Sequence, residues 1–276
     1  MKLIELSFEF FPPKTAEGIN KLGKARSQLL PLRPKFVSVT FGACGSTKNG
    51  TFDTVLDMKK YGLKTAPHLS CIGSSKDSLR IILNQYKSNK IRYIVALRGD
   101  IPSQISKLGE LRYASELVSF IRAEYGDWFH IKVAGYPEYH PQSSSPKKDL
   151  ENFANKVRAG ANSAITQYFF NTDVYFRFVD DIYKLGIDVP IIPGIMPITN
   201  FSQLIYFSKM CGAEIPRWIV CKLESLGNDR DAVLAFGVDV VTALCQRLID
   251  SGVPGLHFYT LNIASATQEI CKRLGL

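Results

Sequence analysis

A regular alternation of short apolar, β-branched runs with segments of helical period constrains this chain more than any other feature. The runs predict strands over 3–10, 35–41, 64–71, 92–98, 130–136, 163–169, 189–195 and 255–261. The helical periods predict helices over 15–29, 52–60, 76–88, 110–124, 147–159 and 173–185. A long helical stretch over 200–250, broken near Pro216 and Gly227, and a last helix over 264–274 complete the pattern. Thr15 reads as an N-cap, Ser74-Ser75 as a helix start, and Gly62, Gly160 and Gly186 as helix stops. Such alternation with short connections implies a parallel sheet whose crossovers are the helices. Eight units in 276 residues favour a closed α/β (β/α)8 TIM barrel, one domain over 1–276, rather than an open doubly wound sheet. No G-x-G-x-x-G follows any predicted strand, which weakens a Rossmann reading.

The remaining composition excludes more than it proposes. The N-terminal MKLIELSFEFFPP carries a glutamate inside its apolar run and no small-residue cleavage site, so it does not read as a signal peptide. No uninterrupted apolar run of about 18 residues occurs, so no spanning helix and no membrane partner are expected. The expected location is the cytoplasm. The cysteines form no C-x-x-C and no Cys/His cluster, so reduced, mostly packed thiols and no metal are expected. The net charge of +9 comes from dispersed lysines, without a basic tail. Small anionic ligands suit that distribution better than a nucleic acid, which is not an expected partner.

In barrels of this kind the reacting groups lie at the C-terminal ends of the strands. Reading those ends in order gives Glu9, Thr40, His68, Arg98 with Asp100, Tyr136 with His140, Gln167 and Asn262, in strands whose interiors read as largely apolar. Alternation along the first strand sets Leu3, Glu5, Ser7 and Glu9 on one face and Ile4, Leu6, Phe8 and Phe10 on the other. The phenylalanine face suits the helix layer, so Glu9 points into the barrel mouth. Burial beside Phe11 and Pro12 is expected to raise its pKa, which suits a general acid; a salt-bridged structural glutamate is the alternative. Gly99 gives the backbone freedom for close approach to a ligand, although Asp100 after it also fits a plain turn. On the helix after the fifth strand, Asp149, Asn152 and Lys156 share a face that reads by default as solvated.

These residues sit in blocks that resemble methylenetetrahydrofolate reductases. The blocks are FEFFPPK at 8–14, PKFVSVTFGA at 34–43, APHLSC at 66–71, VALRGD at 95–100, YPEYHP at 136–141, GANSAITQYFF at 160–170, IIPGIMPITNF at 191–201 and LHFYTLN at 256–262. The similarity runs in order along nearly the whole chain. It implies a barrel holding non-covalent FAD that reduces 5,10-methylenetetrahydrofolate to 5-methyltetrahydrofolate, with NADH or NADPH as donor in a ping-pong cycle. Within it, Glu9 resembles the general acid and Asp100 the carboxylate that stabilises the cation developing on the substrate. Gln167, Gln203 and Phe207, with Asp100, resemble folate contacts. Thr40, Ala43, His68, Arg98, Gly99, Asp100, Ala114, Tyr136, His140, Asp149, Asn152 and Lys156 resemble FAD contacts, which displaces the solvated reading of the 149–156 face. Homo-oligomers are usual in the family.

One departure stands out. Many members carry an arginine after YTLN that helps to hold the folate, and this chain has Ile263. The chain stops after the barrel, so the resemblance implies no appended regulatory domain and no control by S-adenosylmethionine. A barrel that binds folate or flavin without turnover remains the rival reading, though an intact Glu9 argues against it.

Overall fold

The computed structural model describes residues 4–41, 48–100 and 109–276. Eight parallel strands close on themselves in sequence order, the last pairing with the first. They are β1 (Glu5–Phe10), β2 (Phe36–Val39), β3 (Thr65–Ser70), β4 (Tyr93–Leu97), β5 (His130–Gly135), β6 (Ser163–Tyr168), β7 (Ile191–Ile195) and β8 (Gly255–Tyr259). Around them run α1 (Ala16–Leu29), α2 (Lys48–Lys60), α3 (Lys76–Ser88), α4 (Ala114–Tyr125), α5 (Pro146–Arg158) and α6 (Thr172–Lys184). Then follow α7 (Phe201–Cys211), α8 (Arg217–Leu226), α9 (Arg230–Asp250) and α10 (Ser265–Arg273). This is the (β/α)8 barrel that the alternation predicts.

Local chemistry sets the boundaries. Thr15 Oγ1 accepts the Gly18 amide at 3.1 Å and opens α1; Ser75 does the same for Ser78 at 3.2 Å and opens α3. The stretch over 200–250 breaks where expected, into α7, α8 and α9, at Gly212 and Pro216 and then at Gly227. Several boundaries differ, α2 beginning at Lys48 rather than 52 and β7 at Ile191 rather than 189, and two further shifts have a visible cause. Helix α4 begins at Ala114 rather than 110, because the Glu116 carboxylate takes the Arg112 and Tyr113 amides at 2.6 and 3.3 Å and fixes the first turn there. Strand β8 ends at Tyr259 rather than 261, because Leu261 and Asn262 adopt φ of 51° and 57° and leave the extended region. Helix α9 is long and apolar enough to cross a membrane by length and composition, which the sequence reading did not anticipate. It lies against α6, α8 and α10 in the helical layer.

The apolar residues divide into two bodies. The large one lies between sheet and helices and takes in Leu6, Phe8 and Phe10, the face of β1 assigned to it. The small one, Phe36, Ala66, Val95, Ile165 and Ile192, lies inside the barrel. The expectation of largely apolar strand interiors is corrected here, because Ser7, Ser38, Lys132, Ser163 and His257 are also buried. A narrow parallel barrel turns alternate residues of every strand inward, and polar side chains fit there when they bond one another.

Lys132 shows the cost. Its Nζ donates to Ser163 Oγ at 3.0 Å and lies 4.4 Å from the centre of the Phe36 ring. Burial, with a smaller push from Lys35, takes its pKa down to about 8. The folded state therefore holds this proton less tightly than the unfolded chain, and stability rises as pH climbs from about 8 towards 10.5. Lys132→Met is expected to add on the order of 2 kcal/mol at pH 7. Thermal melts across pH 7–10 check it: the variant should melt higher at pH 7 and show a smaller alkaline rise than the wild type, the remainder coming from Lys156.

Candidate active site

The mouth of the barrel gathers groups from strands far apart in sequence. Glu9, the penultimate residue of β1, turns its carboxylate inward. Its Oε2 lies 3.1 Å from His68 Nε2 on β3 and 3.8 Å from His257 Nε2 on β8, and accepts from Ser38 Oγ on β2 at 3.3 Å. The Glu9 side chain is 18% exposed and that of His257 is fully buried. Beneath them Ser7 Oγ meets His257 Nδ1 at 2.8 Å, and Ser38 Oγ meets its Nε2 at 3.3 Å.

This arrangement overturns the expected direction of the Glu9 pKa. Burial does push it up, but the charge of His68 and the close approach of both imidazoles, His257 included, together win and bring it down to about 2. The apolar neighbours Phe11 and Pro12 therefore do not set it. Burial meanwhile lowers the pKa of His257, against the pull of Glu9.

The loop after β1 is fixed by Asn262, whose amide group pairs in both directions with Phe11: Oδ1 accepts its N–H at 3.1 Å and Nδ2 donates to its carbonyl at 2.9 Å. Thr260 Oγ1 donates to the Glu9 carbonyl at 2.6 Å. Asn262 thus acts on the backbone that carries Glu9. Ile263, next in the chain, is exposed at the rim.

A second set runs along the rim from β2 to α5. Thr40 directly follows β2, its amide bonded to the Phe10 carbonyl at 2.9 Å. Arg98 hydrogen-bonds Gln142, and Asp100 is exposed beyond it. Gly99 between them has φ of +85°, and a Cβ there would lie 2.9 Å from that of Ser70. Only glycine lets the backbone run this close to β3. The Tyr136 and His140 rings lie 4.6 Å apart. His140 Nδ1 accepts the Gln142 amide at 3.0 Å, and burial, with Arg98 nearby, lowers its pKa. The ring is therefore neutral, with its proton on Nε2 and free to be donated. Asp149 accepts the His140 amide at 3.1 Å. Lys156 is only part-exposed, against the default reading of its face as solvated. Its Nζ reaches the Ala134 carbonyl at 2.6 Å, and burial brings its pKa down to about 8. Asn152 is exposed on the same helix, and Ala114 is the half-buried first residue of α4. A cavity of about 740 Å³ touches Tyr136 and Asp149 and continues between α5 and α6 past Phe178. Ala43 lies outside the described residues.

On the far side, the β6–β7 pairing shifts register between Ile165 and Tyr168, at the position of Gln167. Such irregularities re-aim side chains. Gln203 and Phe207, one turn apart, share a face of α7, which starts at the rim; Gln203 is exposed and Phe207 half-buried.

Reading only the last residues of each strand missed His257, Ser7 and Ser38. The signal was the same alternation that found Glu9: Leu256 and Phe258 face the helices, so His257 and Tyr259 face inward.

The family model for methylenetetrahydrofolate reductase matches residues 1–275. The chain belongs to that family. It is 44% identical over 274 residues to the 5,10-methylenetetrahydrofolate reductase of Salmonella typhimurium, covering 99% of this chain and 91% of the relative. The Escherichia coli protein of the same name gives the same identity and coverage. Methylenetetrahydrofolate reductase (NADH) 1 of Arabidopsis thaliana is 37% identical over 284 residues, covering 98% of this chain and 48% of the plant protein. Among solved structures, a Clostridium thermocellum protein described as binding two copies of 5-methyl-5,6,7,8-tetrahydrofolic acid aligns with a TM-score of 0.71 at 17% identity, over 99% of this chain and 96% of that one. At that identity the likeness shows the fold alone. Membership in the family places the chain in the enzyme class of the methylenetetrahydrofolate reductases.

Proposed function

We propose that this chain reduces 5,10-methylenetetrahydrofolate to 5-methyltetrahydrofolate with electrons from NADH or NADPH, by way of non-covalently bound FAD. The observation that carries the reading is the half-buried Glu9 carboxylate, met by two imidazoles at the mouth of a barrel of this family. The residues present fit a flavin. His68 Nε2 is buried and faces Glu9 without an aligned hydrogen-bond partner, and His140 keeps an N–H to donate. Thr40, Arg98, Gly99, Tyr136, His140, Asn152 and Lys156 would hold the cofactor along the rim, Arg98 and Lys156 supplying positive charge for an anionic group. FAD when bound supplies a two-electron hydride carrier.

Glu9 delivers the proton. Transfer from its carboxyl to N10 of the substrate opens the five-membered ring and leaves cationic character at N5, which the Asp100 carboxylate stabilises. A carboxyl held near 2 is ionised in the ligand-free mouth. A folate lying over it excludes water and disfavours the ion, so that Glu9 takes up a proton from solvent as the mouth closes. Gln167, Gln203 and Phe207 position the ring system. One face serves both the nicotinamide and the folate in turn, which makes the cycle ping-pong.

Half-reactions test this. The purified protein should be yellow, bleach on anaerobic mixing with NADH or NADPH, and regain colour on adding methylenetetrahydrofolate. A protein that binds no flavin, or whose flavin neither nicotinamide reduces, would refute the reading.

A further inference from the structure

His257 is assigned no role by the reaction above, yet it is the most completely enclosed titratable group near the acid. Both ring nitrogens are engaged: Nδ1 by Ser7 Oγ at 2.8 Å and Nε2 by Ser38 Oγ at 3.3 Å. Its ring is wedged between Phe36, stacked at 5.7 Å and 14°, and Tyr259, edge-on at 5.4 Å and 88°. An imidazole so clamped has one orientation, and that orientation places Nε2 3.8 Å below Glu9 Oε2. Ser38 Oγ bridges the two, since it also lies 3.3 Å from Glu9 Oε2.

We propose that His257, locked by Ser7 and Ser38, is a positioning residue that fixes the Glu9 carboxyl from beneath and keeps it ionised until a ligand closes the mouth. This rests on the reading of Glu9 as the folate acid. The charged and titratable groups facing the pair are His68 on β3, Lys132 on β5 and Tyr259 on β8, with Tyr136 beyond Tyr259. His68 is part-exposed and sits on the ligand side. His257 has no route to solvent except through its neighbours, so its part is orientation and tuning rather than proton supply. Removing it leaves burial less opposed, and the Glu9 carboxyl should then take up a proton at higher pH.

The test is a carboxyl titration. Protein carrying 13C-carboxyl glutamate is titrated by NMR without flavin or folate, the Glu9 resonance being assigned by its loss in Glu9→Gln. His257→Asn keeps a group for Ser7 but none near Glu9, and should raise the Glu9 midpoint by at least one pH unit. His257→Gln can set an amide near the Nε2 position and should restore part of the shift. Ser7→Ala, a one-atom deletion, should move the midpoint in the same direction by less, and it serves if the asparagine variant does not fold. In turnover, the alkaline limb of folate reduction should move with the midpoint, while reduction by NAD(P)H stays unchanged. A Glu9 midpoint unmoved in both His257→Asn and Ser7→Ala overturns the proposal. A moved midpoint with no folate turnover in the wild type would instead refute the reading of Glu9 as the acid and leave the coupling standing.

Discussion

Glu9→Gln is expected to slow reoxidation of the reduced enzyme by methylenetetrahydrofolate by about 10³-fold or more, while reduction by NAD(P)H stays within a few-fold of the wild type. The substitution keeps the volume of the side chain. With its oxygen in the Oε2 position the amide can still accept from Ser38 and face His68 and His257, groups that lie 3.3, 3.1 and 3.8 Å from Oε2. What it removes is the transferable proton and the negative charge. Hydride transfer from nicotinamide to flavin needs neither, whereas ring opening of the folate needs the proton at N10. Stopped-flow traces at the flavin absorbance, followed for each half-reaction separately, measure both rates. Equal slowing of the two would show that Glu9 supports the cofactor rather than the folate. No slowing of either would remove it from the chemistry.

The outline of this site was legible from β1 alone, because a two-residue period leaves no choice about which face Glu9 shares with Ser7. Phe8 and Phe10 are buried against the helices as that period requires. The sign of the Glu9 pKa was not legible. The sequence neighbours Phe11 and Pro12 argue for desolvation, but the deciding groups, His68 and His257, reach Glu9 from strands β3 and β8 through barrel closure. A local reading counts what is near in the chain, and an interior charge responds to what is near in space. The same gap explains Lys132, which the sequence reading did not single out and which is buried on Ser163. It explains Asn262 as well. That residue reads as a rim group at a strand end, but its left-handed backbone turns the amide onto Phe11. Helix starts were placed well where a serine or threonine capped them. The start of α4 was missed, because the capping carboxylate, Glu116, lies inside the helix it caps.

Gly194→Ala is expected to cost at least 3–4 kcal/mol, on the order of the largest single-residue losses, and to lower the melting temperature by roughly 10 °C or abolish soluble expression. Gly194 lies in β7, where a Cβ would fall 2.1 Å from the Thr166 carbonyl oxygen and 2.6 Å from Tyr259 Cε2. The first of these is strand backbone and cannot step aside alone. Thr166 is tied on both sides: its Oγ1 accepts the Gly194 amide at 2.9 Å, and its carbonyl accepts from Tyr259 Oη at 2.7 Å. A methyl group here therefore has to part β6 from β7 or expel Tyr259 from the interior. Either movement leaves a buried hydroxyl or carbonyl without its partner, which adds its own penalty to the steric one. The place is also where β6 loses register with β7, beside Gln167, so any variant that folds should bind folate more weakly than the wild type does. Gly186→Ala is the control. Its φ is +75°, but a Cβ there meets nothing within 4 Å, so it bears only the left-handed backbone strain of about 1 kcal/mol. Calorimetric melts of the two variants beside the wild type separate close approach from backbone strain. If Gly194→Ala melted no lower than Gly186→Ala, the closeness of β6, β7 and Tyr259 would not be what holds this side of the mouth together.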